Sequence, residues 1–319
     1  MLICVSRRTD IPAFHAEWFM NRVRAGYCLV RNPIYRPVVY RVDLTRKNVD
    51  AFIFITKDPR PMMPYLKELG SMGYMYTFQV TITPYGKDIE PGVPFKADIA
   101  DAFKELSARI GKDRIAWRYD PIILNDRIDV EYHRRKFGLL CRELEGYTDR
   151  CIFSFVDMYG KLSGRKDLRS VSHKEMDDLA QALAPIAAEH GIRLTYCCAR
   201  RDLSAYGIEP AGCIDRRQMI SLGIPFEELD TPLREGCRCV KNIDIGAYDT
   251  CDHGCVYCYA NKADPEERSR RTYDPEAEML FGTLESGDEI VELKGRSEPR
   301  LSDFFEYTQY GDVGKQIRR

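Results

Sequence analysis

The 319-residue sequence has almost no net charge, with 48 Lys and Arg against 49 Asp and Glu. A balance this close supplies no general field toward nucleic acid or an anionic membrane surface. Long apolar runs are missing, so no segment is read as spanning a bilayer. The opening Met1-Leu2-Ile3-Cys4-Val5-Ser6-Arg7-Arg8 has too short an apolar stretch before its charges for a secretory leader. Repeats and low-complexity tracts are absent. So is a basic patch laced with aromatics of the kind that marks a nucleic-acid face, which leaves nucleic acid open as a partner without arguing for it. What remains is ordinary: 44% hydrophobic and 30% charged residues describe a soluble globular protein. Twelve cysteines with no leader place the chain in a reducing cytoplasm, where metal binding outweighs disulfides.

The first two-thirds alternates apolar strands with amphipathic helices. Leu2 to Val5 reads as a strand ending in Ser6-Arg7-Arg8-Thr9-Asp10, and a helix from about His15 stops at Gly26. Further strands are expected at Tyr27–Val30, Ala51–Ile55, Thr77–Ile82, Ile115–Trp117, Cys151–Val156 and Ile192–Tyr196, with Val38–Leu44 a strand or hairpin arm. Ile99, Phe103, Leu106 and Ile110 recur at helical spacing before Gly111. Other helices are expected at Tyr132–Leu144, near Asp215–Leu222, and after the capping box Ser172/Glu175 as far as His190.

Such alternation argues a parallel α/β sheet, and six or seven units favour a TIM-like (β/α) barrel, full or partial. In that architecture the C-terminal strand ends carry the chemistry. Here they end in Arg7 and Asp10, Arg31, Lys57, Arg118 and Asp120, Asp157, and Cys198. Polarity also simply resumes where strands stop, which accounts for about half of these residues. The expected division is a barrel over 1–230, a cysteine-rich cluster-binding segment over its mouth at 231–263, and a polar extension at 264–319 that packs through Met279-Leu280-Phe281 and Phe304-Phe305.

The densest chemistry lies in Cys251-Asp252-His253-Gly254-Cys255-Val256-Tyr257-Cys258-Tyr259. Three thiolates at this spacing can ligate a four-iron cluster and leave one iron open to a small molecule. Zinc is the competing metal, but its sites usually draw on a second, separated ligand pair. His253 is read as a turn or surface residue, since three thiolates suffice. Cys213, Cys237 and Cys239, with either Cys198 or Cys197, supply a full four-thiolate set for an auxiliary cluster. Cys198 is preferred because neighbouring strand residues point to opposite faces. Cys4, Cys28, Cys141 and Cys151 are read as small buried hydrophobes.

Ser6-Arg7-Arg8-Thr9-Asp10, Arg118-Tyr119-Asp120-Pro121, and the run from Cys237 and Cys239 to Tyr259-Ala260-Asn261 resemble an uncharacterised bacterial family, domain of unknown function 1848. The cysteine triplet also resembles the cluster motif of radical S-adenosylmethionine (SAM) enzymes. Its flanks, with Phe54-Ile55-Thr56-Lys57, Val80-Thr81-Ile82-Thr83 and Glu90-Pro91, are similar to the spore photoproduct lyase branch. That second resemblance implies SAM chelated at the open iron and cleaved reductively to a 5′-deoxyadenosyl radical. In it Lys57, Thr83 and Tyr257 are candidates for holding the cofactor, and Arg7, Asp10, Arg118 and Asp120 are the candidate catalytic set. The departure is positional: in the lyase branch the triplet follows the first strand, whereas here it comes last.

The leading expectation is thus a cytoplasmic radical SAM-type enzyme with an anionic small-molecule substrate and a reductant protein such as ferredoxin or flavodoxin. An iron–sulfur electron-transfer or redox-sensing protein without SAM chemistry is the second reading. A structural metal protein, its tail pinned by cysteines, is the third.

Overall fold

The computed structural model describes residues 1–158, 160–162, 165, 167–262 and 272–295. In chain order its elements begin with β1 (Leu2–Val5), α1 (Ile11–Phe14), α2 (Ala16–Ala25), β2 (Tyr27–Arg31), β3 (Val38–Asp43) and β4 (Ala51–Thr56). There follow α3 (Leu66–Ser71), β5 (Tyr76–Thr81), α4 (Lys96–Ile110), β6 (Ile115–Ile122), α5 (Val130–Leu144), β7 (Arg150–Phe155) and α6 (His173–Glu189). The chain closes with β8 (Arg193–Tyr196), β9 (Glu209–Pro210), α7 (Arg216–Ser221), β10 (Ile243–Asp244) and β11 (Glu289–Leu293).

Eight strands form one sheet in the order β10-β1-β4-β5-β6-β7-β8-β9. Every pairing in it is parallel. Among the described residues no ladder joins the end strands β9 and β10. Parallel strands are buried on both faces and therefore read as continuous apolar runs rather than alternating ones. All six residues of β5 are buried. On one face Phe52, Phe54 and Phe78 meet Phe19 of α2, whose ring stands edge-on to Phe52 and Phe54 at 5.0 and 5.3 Å. Each such aromatic pair contributes roughly 0.5–1.5 kcal/mol beyond its burial. On the other face Leu2, Cys4, Ala51 and Ile53 pack against Ile214, Met219, Ile224, Cys239 and Val240.

Helix ends follow their chemistry. Gly26 closes α2 in the left-handed conformation at φ 81°, Asp129 caps α5, and the Ser172/Glu175 capping box opens α6. Cys4, Cys28, Cys141 and Cys151 are fully buried among apolar side chains, and burial pushes the Cys28 and Cys141 thiols up to about 12. No helix among the described residues is long and apolar enough to cross a membrane.

Three expectations are corrected. Tyr27–Val30 does not join the main sheet; β2 pairs with β3, the hairpin arm expected at Val38–Leu44, and the third strand of that small sheet is β11. Arg31 accordingly sits away from the strand-end cluster, its guanidinium on Asp288 at 2.6 and 2.7 Å. The strand beginning at Ile115 does not stop at Trp117 but runs to Ile122, so Arg118 and Asp120 lie within it. The 231–263 segment does more than cover the sheet, since Ile243 and Asp244 are themselves its edge strand beside β1. Met279 and Leu280 are buried, whereas Phe304 and Phe305 lie outside the described residues.

Candidate functional site

Parallel strands deliver their C-terminal ends to one side, and there they line a cavity of about 470 Å³. Its walls include Arg7, Arg8 and Asp10 after β1, Lys57 after β4, Arg118 and Asp120 of β6, Asp157 after β7, and Cys197 and Cys198 after β8. The late loop carrying Cys251, Cys255 and Cys258 lines the same cavity. A loop arriving more than 200 residues after the first strand thus faces the same space as that strand's end.

One carboxylate joins the two. Asp10 caps α1 through Oδ1, which accepts from the Ala13 amide at 3.1 Å. Its Oδ2 accepts from the Lys57 amide at 2.7 Å and meets His253 Nε2 at 2.8 Å. His253 is therefore a buried strut at 3% exposure rather than a surface residue, and its Nδ1 has no hydrogen-bond partner among the described residues. The loop is pinned further by Val256 N–H on the Ile89 carbonyl, Gly92 N–H on the His253 carbonyl, and Asn261 Nδ2 on the Cys251 carbonyl. A Cβ at Gly92 would stand 2.3 Å from the Asp252 carbonyl oxygen, so the close approach demands glycine.

Beneath the loop lies Glu90, 1% exposed. It accepts from Lys57 Nζ at 2.8 Å, Thr83 Oγ1 at 2.8 Å, Lys96 Nζ and the Tyr257 hydroxyl. Burial alone would raise this carboxyl, but Lys57 and Lys96 overcome it and bring it down to about 2. Burial likewise opposes the Lys57 ammonium, and Glu90 more than compensates, so its pKa is raised. Lys57 is thus neither a solvated lysine nor an unpaired one. Tyr257 lines the cavity, with the Lys57 ammonium 5.7 Å from its ring centre. Thr83 is committed to Glu90 and lies behind it, outside the cavity wall.

Arg7 and Arg8 part company. The Arg7 amide and Nε donate to Asp244 at 2.8 and 3.4 Å, and Nη2 to Asn242 at 2.6 Å, while Ser6 Oγ donates to the same Asp244 at 2.5 Å. Arg8 reaches only the Asp244 and Gly246 carbonyls at 3.5 Å and stands 5.6 Å from the Tyr248 ring centre. Among the described residues it forms no ion pair. Arg118 is held by Gln79 at 2.8 Å and by Asp120, and Asp157 by Arg234 at 2.8 Å.

The second thiol group gathers on the sheet face that carries Cys4, Ile53 and Ile152. Cys197 Sγ lies 3.6 Å from Cys198 Sγ and 3.5 Å from Cys213 Sγ, and Cys237 and Cys239 complete it. The strand argument for Cys198 over Cys197 does not hold. β8 ends at Tyr196, and Cys198 takes a left-handed φ of 52°, so alternation has ceased and both sulfurs turn the same way. Asp244 is the site residue that sequence reasoning missed, with no motif spacing that could have revealed it, and Glu90, which enters that reasoning only within Glu90-Pro91, is given no role in it.

Among the described residues no group of three or more His, Cys, Asp or Glu side chains is set to hold a single metal ion. An iron–sulfur cluster asks for something else, because each thiolate binds its own iron and the sulfurs need only face one volume. Cys251, Cys255 and Cys258 meet that condition. Burial pushes the Cys255 thiol up to about 12, so ligation there displaces a proton.

A family model described as Domain of unknown function (DUF1848) matches residues 2–260. No curated protein matches the chain. Among solved structures it is similar to a candidate alpha-L-fucosidase from Bacteroides thetaiotaomicron VPI-5482, at 9% identity and a TM-score of 0.24. That likeness covers 66% of this chain and 79% of the other, and it is too weak to carry an argument.

Proposed function

We propose a function from one premise: the chain belongs to the family described as Domain of unknown function (DUF1848), which brings no reaction with it. The protein is an iron–sulfur enzyme of the radical SAM type, its parallel sheet a partial (β/α) barrel and its cavity the mouth of that barrel. Cys251, Cys255 and Cys258 are the cluster ligands. The cluster, when bound, supplies an open iron for SAM and the electron for its reductive cleavage. The supporting observation is the shared cavity: three thiols from one late loop face the ends of the parallel strands.

The chain's own residues then have definite tasks. Asp10 and His253 hold the loop against the strand ends, and Glu90 fixes Lys57 and Tyr257 beneath it. Cys251 and Cys255, each 8% exposed, keep bulk water from that wall. Arg8, the cavity cation with no carboxylate partner among the described residues, is the docking group for an anionic small-molecule substrate. Arg7 serves the Asp244 network instead. A protein of the ferredoxin or flavodoxin kind supplies the electron.

Anaerobically reconstituted protein, given SAM and dithionite, is expected to release 5′-deoxyadenosine, and C255S to release none. No product from iron-loaded protein under several reductants overturns the reading. The electron-transfer alternative draws on the second thiol group beside the same cavity; it expects reversible redox cycling and no heat of SAM binding. A structural metal protein instead purifies colourless with zinc.

A further inference from the structure

Cys197 Sγ touches two other sulfurs, Cys213 Sγ at 3.5 Å and Cys198 Sγ at 3.6 Å. Cys197 and Cys213 come from the exits of neighbouring parallel strands. β8 ends at Tyr196, which lies opposite Pro210 of β9. The Ala211 amide then donates to the Tyr196 carbonyl at 2.9 Å, which carries the pairing one residue further and Cys213 toward Cys197. A Cβ at Gly212 would stand 2.5 Å from the Arg238 carbonyl oxygen, so glycine is what lets the stretch entering Cys213 lie against residues 238–239. All three thiols line the cavity.

Two contacts compete for one bond, and backbone geometry separates them. Adjacent Cα atoms stand about 3.8 Å apart across a trans peptide, short of the roughly 4.4–6.8 Å that disulfides usually span. Cys198 is thus a poor bonding partner for Cys197. Cys213, 16 positions on and at another strand exit, is free of that restriction. Exposure then gives the pair an order. Cys197 is 3% exposed and packs with Ala116 and Ile152, whereas Cys213 is half-buried. A reagent that enters the cavity therefore meets Cys213 first, with Cys197 in contact behind it. Disulfides that open to solvent are the labile ones, which form and break by exchange.

We infer that Cys197 and Cys213 form a reversible dithiol–disulfide site, reached through the cavity by a low-molecular-weight disulfide. The Cys213 thiolate attacks one sulfur of the small disulfide, forming a mixed disulfide and releasing one small thiol. The Cys197 thiolate then attacks the Cys213 sulfur and expels the second small thiol. The two protein thiols give up two electrons and two protons, and the small disulfide takes them to become two thiols. A small dithiol runs the exchange backwards. The site depends neither on SAM chemistry nor on iron at the 251–258 loop.

The test is the free-thiol count and disulfide map of the full chain, iron-loaded, before and after treatment with 2-hydroxyethyl disulfide. C251A/C255A/C258A is treated alongside, so that oxidation at the loop is not mistaken for oxidation of the pair. Both proteins should lose one pair of thiols, with the bond mapped by peptide mass to Cys197–Cys213, and dithiothreitol should restore it. C198S should behave as wild type does. C197S should stop at a mixed disulfide on Cys213, and C213S should form no internal bond to Cys197. Thermal unfolding of each variant separates lost exchange from lost fold. A folded chain whose thiols stay unreacted while the unfolded chain is oxidised overturns the inference, as does a bond mapped to Cys197–Cys198. Iron or zinc kept by C251A/C255A/C258A and lost on adding C197S or C213S also overturns it, because the pair would then be metal ligands.

Discussion

The eight cysteines on the cavity wall fall into two groups assembled by opposite means. Cys251, Cys255 and Cys258 belong to one short loop, and their relation is local. What the fold adds is a seat, made by Asp10, the Ile89–Gly92 backbone and the buried Glu90. Cys197, Cys198, Cys213, Cys237 and Cys239 come from distant stretches and exist as a group only once α7 and the strand ends have packed. A contiguous site can be misplaced but not dispersed; a scattered one can be dispersed by any slip in the sheet that carries it. The two should therefore respond differently to damage.

The sharpest way to separate them is Glu90→Gln. It strands the Lys57 and Lys96 ammonium groups in a buried site, and breaking such a pair costs about 3–5 kcal/mol. Iron bound at the 251–258 loop of reconstituted protein should fall while the packing around the five distant thiols stays in place. Because the folded carboxyl is depressed from 4.5 to about 2, its stabilisation is complete above pH 4.5 and drains away as pH falls toward 2. Thermal melts across that window should lose this slope in the variant. An unchanged slope would remove Glu90 as the loop's footing. A comparable loss is expected from Arg7→Ala, which leaves Asp244 buried without its guanidinium. If that variant stays fully folded but inactive, Arg7 belongs to the reaction rather than to the framework.

Next in size is a crossed pair of glycine substitutions. Gly92→Ala drives a methyl into the 252–253 backbone, and Gly212→Ala does the same to residues 238–239. Overpacking of this kind costs roughly 1–3 kcal/mol. Iron analysis after reconstitution should show the first variant losing the loop's iron and the second keeping it. Both variants losing iron equally would mean that the two groups form one centre. The smallest effect is Arg8→Ala, expected to move stability by no more than about 0.5 kcal/mol. Release of 5′-deoxyadenosine without substrate should be unaltered; a collapse of that background rate would tie Arg8 to the loop and not to a substrate.

The same contrast explains what could be read without coordinates. Apolar runs such as Phe52–Ile55, the Ser172/Glu175 cap and Gly26 are local signals, and their elements form where they point. The cysteine spacing of the late loop is local as well. Tyr27–Val30 is assigned to the wrong sheet because the third strand of its sheet, β11, arrives some 250 residues later, and periodicity carries no record of a remote partner. Arg31 moves with it. Asp244 and the role of Glu90 escape for a related reason, since each matters through contacts across 100 residues or more.

Asp10 gives the arrangement a direction in time. The same carboxylate oxygen that steadies the start of the second main-sheet strand's exit also receives the histidine of the late loop. During synthesis residues 1–60 leave the ribosome long before Cys251 does, so the socket is built before the part it receives. Under the proposed function a metal would fasten a loop onto a seat whose residues were made first, rather than act as the template for that seat.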